Sequence, residues 1–242
     1  MRFFVLGATG GTGRAFTHQA LAAGHQVTAL VRDPDRLRPA AGLTILTGDA
    51  TDAARLAETA PRHDGYLIAL GEYPHPLSFL PGPQRHRSTE VCSRGTAALL
   101  TALQGRGRIG VVSAYGVGAT RATAPWYFRL YFWLVMPALF ADKERQEASL
   151  AASAADYVIA QPVGLTDKPA TGTALASPEG RIRRSTVSRA DVAAFLLAEL
   201  ATPTLHRQSV AISGCSRTSA QKRCHSRSFW IANCTAPPPR TR

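Results

Sequence analysis

Three groups of residues have the types and spacing to do chemistry. The first is Gly7-Ala8-Thr9-Gly10-Gly11-Thr12-Gly13. Glycines at 7, 10 and 13 remove the Cβ atoms that would block a phosphate, and a helix starting there aims its N–H groups and positive dipole end at the anion. A turn of this kind binds the diphosphate of a dinucleotide when a strand precedes it and a helix follows. The second is Arg32 in Val31-Arg32-Asp33. A ribose 2′-phosphate calls for a cation that bonds it in a fork, whereas free ribose hydroxyls call for a carboxylate, so Arg32 favours NADP(H) over NAD(H). Asp33, followed by Pro34, reads as the cap of a short helical turn from Pro34 to Leu37. The third is Ser113-Ala114-Tyr115-Gly116, a pair of hydroxyls suited to polarising a substrate.

These groups need a scaffold that brings chain ends together. Apolar strand-like segments recur at 3–6, 26–31, 43–46, 65–70, 108–112 and 156–160, with helical stretches at 13–23, 52–59, 88–104 and 142–152. The alternation predicts an α/β fold of the Rossmann-like, doubly wound type, a parallel sheet covered on both faces. Ligands of such sheets bind beyond the carboxyl ends of the strands, so the residues just after each strand map the site. After the third strand, Asp49 and Ala50 are placed to meet an adenine, with Asp49 alternatively capping the helix near Asp52. After the fourth, Leu70 and Gly71 allow close backbone approach. A loop with Pro74, Pro76, Pro81 and Pro83 follows, a substrate lid or a stiff connection, carrying Glu72, His75 and His86.

Composition bounds the reading. A chain of 242 residues with 45% hydrophobic content suits one domain with a small appended lobe. The net charge of +12 is uneven: Arg217, Lys222, Arg223, Arg227, Arg240 and Arg242, with no acid among residues 215–242, supply half of it. That tail lacks the aromatic and basic interleaving of a specific nucleic-acid surface. Cys215, Cys224 and Cys234, with His225, form no Cys-x-x-Cys pair, so no metal site is expected and the thiols read as free. No secretory signal opens the chain, and the apolar stretch from Trp126 to Phe140 contains Arg129 and is too short to span a bilayer, which implies a cytoplasmic protein without a transmembrane segment.

Taken with Arg94-Gly95-Thr96, Val112-Ser113, Asp142-Lys143 with Glu147, residues 156–162 and residues 187–193, the chain resembles an atypical short-chain dehydrogenase/reductase of the NAD(P)H-binding type. Its nearest resemblance is to the biliverdin reductase B/flavin reductase and NmrA-like groups. The resemblance spans residues 1 to about 214 as a single domain, with the substrate lobe mainly at 166–187. It implies that Ser113 and Lys143 match the serine and lysine of a Ser-Tyr-Lys set, with Lys143 also holding the cofactor ribose. The tyrosine four residues before the lysine is replaced by Leu139. Tyr115 stands in for it or packs over the cofactor. Lys143 alternatively pairs with Glu147 as an exposed helical contact of about 0.3–0.5 kcal/mol. The resemblance also implies that Pro162, Val163 and Gly164 offer backbone to the nicotinamide carboxamide. Ser188 and Asp191 read as a structural capping box.

Three functions fit this pattern. The first is an NADPH-dependent reductase passing hydride to a small conjugated acceptor, such as a flavin, quinone or tetrapyrrole, with Trp126, Tyr127 and Phe128 shaping the pocket. The second is an NADP(H)-binding redox sensor of the NmrA-like type. The third, a sugar-nucleotide epimerase or dehydratase, needs the missing tyrosine. A monomer or homodimer acting on a small molecule suits the first. Residues 215–242 match nothing in the family and read as a disordered tail or the product of an altered reading frame. Their removal should leave NADPH affinity intact in a binding titration, whereas a large loss would place the tail within the fold.

Overall fold

The computed structural model describes residues 1–71, 90–125 and 137–215. In chain order it contains β1 (Arg2–Leu6), α1 (Gly11–Ala22), β2 (Gln26–Val31), β3 (Leu43–Thr47), α2 (Ala53–Thr59), β4 (Gly65–Ile68), α3 (Val91–Ala102), β5 (Arg108–Val112), α4 (Pro137–Ala152), β6 (Asp156–Pro162), β7 (Gly164–Thr166), β8 (Ala174–Ser177), β9 (Thr186–Ser188), α5 (Arg189–Ala201) and β10 (Gln208–Gly214). The main sheet has the order β3-β2-β1-β4-β5-β6-β10-β8, parallel except for the pairing of β10 with β8. The strand order reverses between β1 and β4, which opens a crevice at their carboxyl ends. This is the expected Rossmann-like α/β architecture.

The two faces follow from the strand period. Along β1, Phe3 and Val5 point to the layer of α1 and α5, where they meet Phe16, Val192 and Phe195. Phe4 and Leu6 point to the layer of α2, α3 and α4, where they meet Leu56, Leu99 and Leu150. All four are fully buried, the pattern of a central parallel strand. At the opposite end of the sheet from the crevice, Arg108 is buried and bridges Asp156 at 3.0 Å and Glu199 at 3.2 Å.

Local signals account for the starts of α2, α5 and a short 3-10 turn. Asp33 accepts from the Asp35 N–H at 3.2 Å and caps a 3-10 turn at Pro34–Arg36, as its sequence implies. Asp52 caps α2 through the Arg55 N–H at 3.0 Å, so Asp49 does not. Ser188 caps α5 through the Asp191 N–H at 2.9 Å. The second half of that expected capping box is different. The Asp191 carboxylate takes the Thr171 N–H at 2.9 Å and the Gly172 N–H at 3.0 Å, pinning the loop before β8 to α5.

Helix α3 has no cap of its own: Glu90 is left-handed at φ 54° and makes no side-chain cap bond. The fully buried Asp142 of α4 serves instead, accepting from the Cys92 N–H at 2.9 Å, the Ser93 N–H at 3.1 Å and the Ser93 hydroxyl. Carboxylates suit this place because of the helix dipole and the orphaned N–H groups.

The lobe expected at 166–187 contains short strands with no strong sequence signal: β7 pairs with β9, and β8 joins the main sheet. Cys215 also pairs with this region, its N–H donating to the Thr173 carbonyl at 3.2 Å. The proline-rich loop with Glu72, His75 and His86, the aromatic segment with Trp126, Tyr127 and Phe128, and the tail beyond Cys215 lie outside the described residues. Among the described residues no helix is long and apolar enough to cross a membrane.

Replacing Asp142 by Asn keeps the shape but turns an NH2 group toward the donors of α3. Unfolding free energy should fall by about 1.5–3 kcal/mol in a denaturant titration, while Glu58→Gln on the exposed face of α2 should stay within about 0.5 kcal/mol.

Candidate cofactor and proton-transfer site

The crevice is built from the residues that end β1 to β6. Gly7 leaves β1 at φ 87°, and a Cβ there would fall on the Ala69 carbonyl that follows β4. A Cβ on Gly13 would fall on the Gly7 carbonyl. The turn is thus clamped between β4 and its own helix with no room for side chains at these two positions. Gly10 is the N-cap of α1 and has no side chain to cap with, and no acidic residue lies in the first turn. The chain bonds the Gly10 N–H to Gly7 at 3.0 Å and the Arg14 N–H to Gly10 at 2.8 Å, so the N–H groups of Gly11, Thr12 and Gly13 face the crevice end of the helix. An unopposed helix N-terminus of this form suits a phosphate. Thr9 lies in the same turn and its carbonyl accepts from Arg14 at 3.1 Å. Gly11 is covered by the Arg189 side chain from the start of α5, whose guanidinium pairs with Asp167 of the lobe at 2.8 Å.

Past β2, Arg32 is exposed at the strand tip. Asp49, past β3, is held by its own turn, accepting from the Thr51 N–H and hydroxyl, each at 2.7 Å. Those bonds hold its carboxyl below the usual aspartate range, and the charges of Arg32 and Arg94 add to them. Arg94, on α3, therefore joins Arg32 at this end of the crevice. Gly95 next to it lets α3 approach Ala50 and Leu70, since a Cβ would stand 2.7 Å from the Leu70 Cδ1 and 3.2 Å from the Ala50 carbonyl. Among the described residues nothing stands within 4 Å of where a Cβ on Gly71 would lie.

Ser113 directly follows β5 and is buried. Its hydroxyl donates to Glu147 Oε1, and Gln161 Nε2, from β6, reaches Glu147 Oε1 at 2.9 Å, Oε2 at 3.0 Å and the Val117 carbonyl at 2.8 Å. Lys143, one turn before Glu147 on α4, is also buried and donates from Nζ to the Val112 carbonyl at 3.1 Å. The expectation of an exposed Lys143–Glu147 pair is therefore corrected. Both residues lie on the inward face of α4, each holding a different partner, because Asp142, Lys143, Gln146, Glu147 and Leu150 form one buried stripe.

Tyr115 takes a different direction from Ser113. It is buried, and its hydroxyl donates to the Gly180 carbonyl at 3.2 Å and lies 3.5 Å from that of Thr123, which ties the lobe to the end of β5. Past β6, the Pro162 carbonyl accepts from the Tyr115 N–H at 2.9 Å, the Val163 N–H donates to Ile212 at 3.1 Å and the Gly164 N–H to Ser185 at 3.0 Å. These bonds fix the course of the segment that was expected to offer backbone to a carboxamide. Sequence reasoning placed Gln161 only in the segment at the end of β6 and missed the role of its side chain, along with Gly118 and the buried state of Glu147. The signal present was the four-residue spacing of Lys143 and Glu147, which puts both on one helical face without saying which way it points.

Comparison with known proteins agrees with this fold. An uncharacterised chloroplastic protein of Arabidopsis thaliana is 27% identical over 238 residues, covering 93% of this chain and 80% of its own. Among solved structures, ChuY, an anaerobilin reductase of Escherichia coli, is 25% identical with a TM-score of 0.70, covering 88% of this chain and 97% of its own. A short-chain dehydrogenase/reductase of Veillonella parvula in complex with NADP shares the fold at 19% identity and a TM-score of 0.70, covering 88% of this chain and 94% of its own. The family model described as NAD(P)H-binding matches residues 7–203, most of the chain and every strand end that lines the crevice, so the protein belongs to the NAD(P)H-binding family.

Proposed function

We propose that the protein is an NADPH-dependent reductase of a small, planar, conjugated acceptor. The observation that carries this reading is the uncapped N-terminus of α1 at the point where the strand order reverses, with Ser113 and Lys143 at the end of β5, two strands along. The Gly7–Gly13 turn would hold the diphosphate, and Arg32 with Arg94 the 2′-phosphate, with Asp49 and Ala50 beside the adenine. Leu70, Gly71, Lys143 and the Pro162–Gly164 segment would flank the nicotinamide and its ribose. When bound, the cofactor supplies the hydride. The chain supplies orientation, exclusion of water and, through the Ser113 hydroxyl, a hydrogen bond to the acceptor. Tyr115 serves as the tie to the lobe. The likeness to an anaerobilin reductase supports a linear tetrapyrrole among the acceptors to try first.

A second reading, an NADP(H)-binding sensor without turnover, is favoured by one feature: Leu139 stands one turn before Lys143, where a proton-donating tyrosine would be. NADPH oxidation measured against tetrapyrroles, quinones and flavins separates the two. Saturable turnover that falls roughly 10²-fold or more in Ser113→Ala supports the reductase; tight NADPH binding with no turnover on any acceptor supports the sensor. Arg32→Ala should lower the ratio of NADPH to NADH affinity by about one to two orders of magnitude, the equivalent of about 1.5–3 kcal/mol for a charged hydrogen bond. An unchanged ratio would remove Arg32 from the 2′-phosphate site.

A further inference from the structure

We infer that Glu147 is a proton store behind Ser113, refilling that hydroxyl after it protonates the reduced acceptor; the inference rests on the reductase reading above. The arrangement is built for a carboxyl group. A Cβ on Gly118, which sits at φ 49°, would fall on Glu147 Oε2, so the turn after β5 is hollowed where the carboxyl lies. Gln161 grips both carboxyl oxygens, and its own Oε1 is buried without a hydrogen-bond partner among the described residues. One NH2 group has two hydrogens, yet three oxygens lie within its reach. Among the described residues the donors are too few to satisfy a buried carboxylate fully.

Among the described residues the charges around Glu147 are equally sparse. From β5 it meets the neutral Ser113, from β6 the neutral Gln161, and from the turn at 117–120 only backbone. On its own helix, Lys143 spends its ammonium on the Val112 carbonyl, and Glu144 pairs outward with Arg121 at 2.8 Å. Burial pushes the Glu147 carboxyl above the usual glutamate range, opposed by the bonds from Ser113 and Gln161 and by the charge of Lys143, and reinforced by the charge of Glu144. Folding thus raises the proton affinity of Glu147, and this contribution to stability is present at low pH and lost as pH rises through the raised value.

This geometry replaces what Leu139 removes. The acceptor takes up two electrons with the hydride of the bound nicotinamide and leaves charge on a nitrogen or oxygen. With Glu147 protonated the contact reverses, the Glu147 O–H donating to Ser113 Oγ, which frees the single Ser113 hydrogen for the acceptor; the Ser113 O–H bond breaks as the acceptor atom gains its proton. The Glu147 O–H bond breaks as the Ser113 O–H forms again, and solvent returns a proton to the carboxylate once product leaves. One hydride and one proton are consumed per acceptor. Glu147 acts through Ser113 and is a positioning residue as well as a proton reserve. The acceptors it serves are those whose reduced form must gain a proton on a localised heteroatom, as in a tetrapyrrole or quinone.

Two measurements test this. Infrared difference spectra of wild type against Glu147→Gln read the carboxylic-acid carbonyl stretch across pH. The band should titrate above the range of an exposed glutamate and shift in Ser113→Ala, which removes its bonded partner and keeps the helix intact. A band that titrates in the ordinary range, or ignores Ser113→Ala, overturns the proposal with no need of turnover. In kinetics, wild-type kcat should fall on the alkaline side with the midpoint of that band. Glu147→Gln should lose this limb and roughly 10²-fold in kcat, with NADPH affinity unchanged. Full kcat with the limb intact in Glu147→Gln overturns the proton store and leaves the reductase standing. No wild-type turnover on any acceptor, with the band still titrating high, overturns the reductase reading and the relay with it.

Discussion

Backbone meets backbone at the end of β1, and the crevice depends on that contact. Gly7 lies against the Ala69 carbonyl and Gly13 against the Gly7 carbonyl, with no space for a Cβ at either place. The contact sets the distance between β1 and β4 and the point where α1 begins. It therefore sets where the free N–H groups of that helix converge. A methyl group at either glycine would push the helix from the sheet. The same turn that gives an anion its donors is thus the joint that joins strand, neighbour strand and helix.

The second organising feature is the polar face of α4. Helices usually bury an apolar stripe, but here the inward stripe is Asp142, Lys143, Gln146, Glu147 and Leu150. Each polar member has a specific use. Asp142 caps α3, Gln146 donates to Thr96 at 2.8 Å, Lys143 holds the end of β5, and Glu147 meets Ser113 and Gln161. Burying such a stripe is tolerable only because partners satisfy nearly all of it. Among the described residues two oxygens here lack a partner, Gln146 Oε1 in the stripe itself and Gln161 Oε1 beside Glu147, and the second lies next to the hydroxyl that the proposed chemistry uses.

Much of the fold was legible in the chain. The strands at Gln26–Val31 and Arg108–Val112 have the boundaries their apolar runs imply, because a doubly covered parallel strand must be apolar on both faces. The turn of β1 into α1 was legible from its glycines, and the cap at Asp33 from the proline that follows. The short strands of the lobe were not legible, since strands as brief as Gly164–Thr166 and Thr186–Ser188 carry no periodicity and exist only by pairing with each other.

The sequence by itself determined the order of elements, the glycine turn and the cation at the tip of β2, because these rest on local backbone chemistry and on residues adjacent in the chain. Tertiary structure decided which way the charged face of α4 points, which helix Asp142 caps and what Asp191 pins. It also decided that Tyr115 reaches the lobe while Ser113 reaches Glu147. Polar residues look exposed in a sequence, and only the packing of distant segments supplies the donors and acceptors that let them be buried.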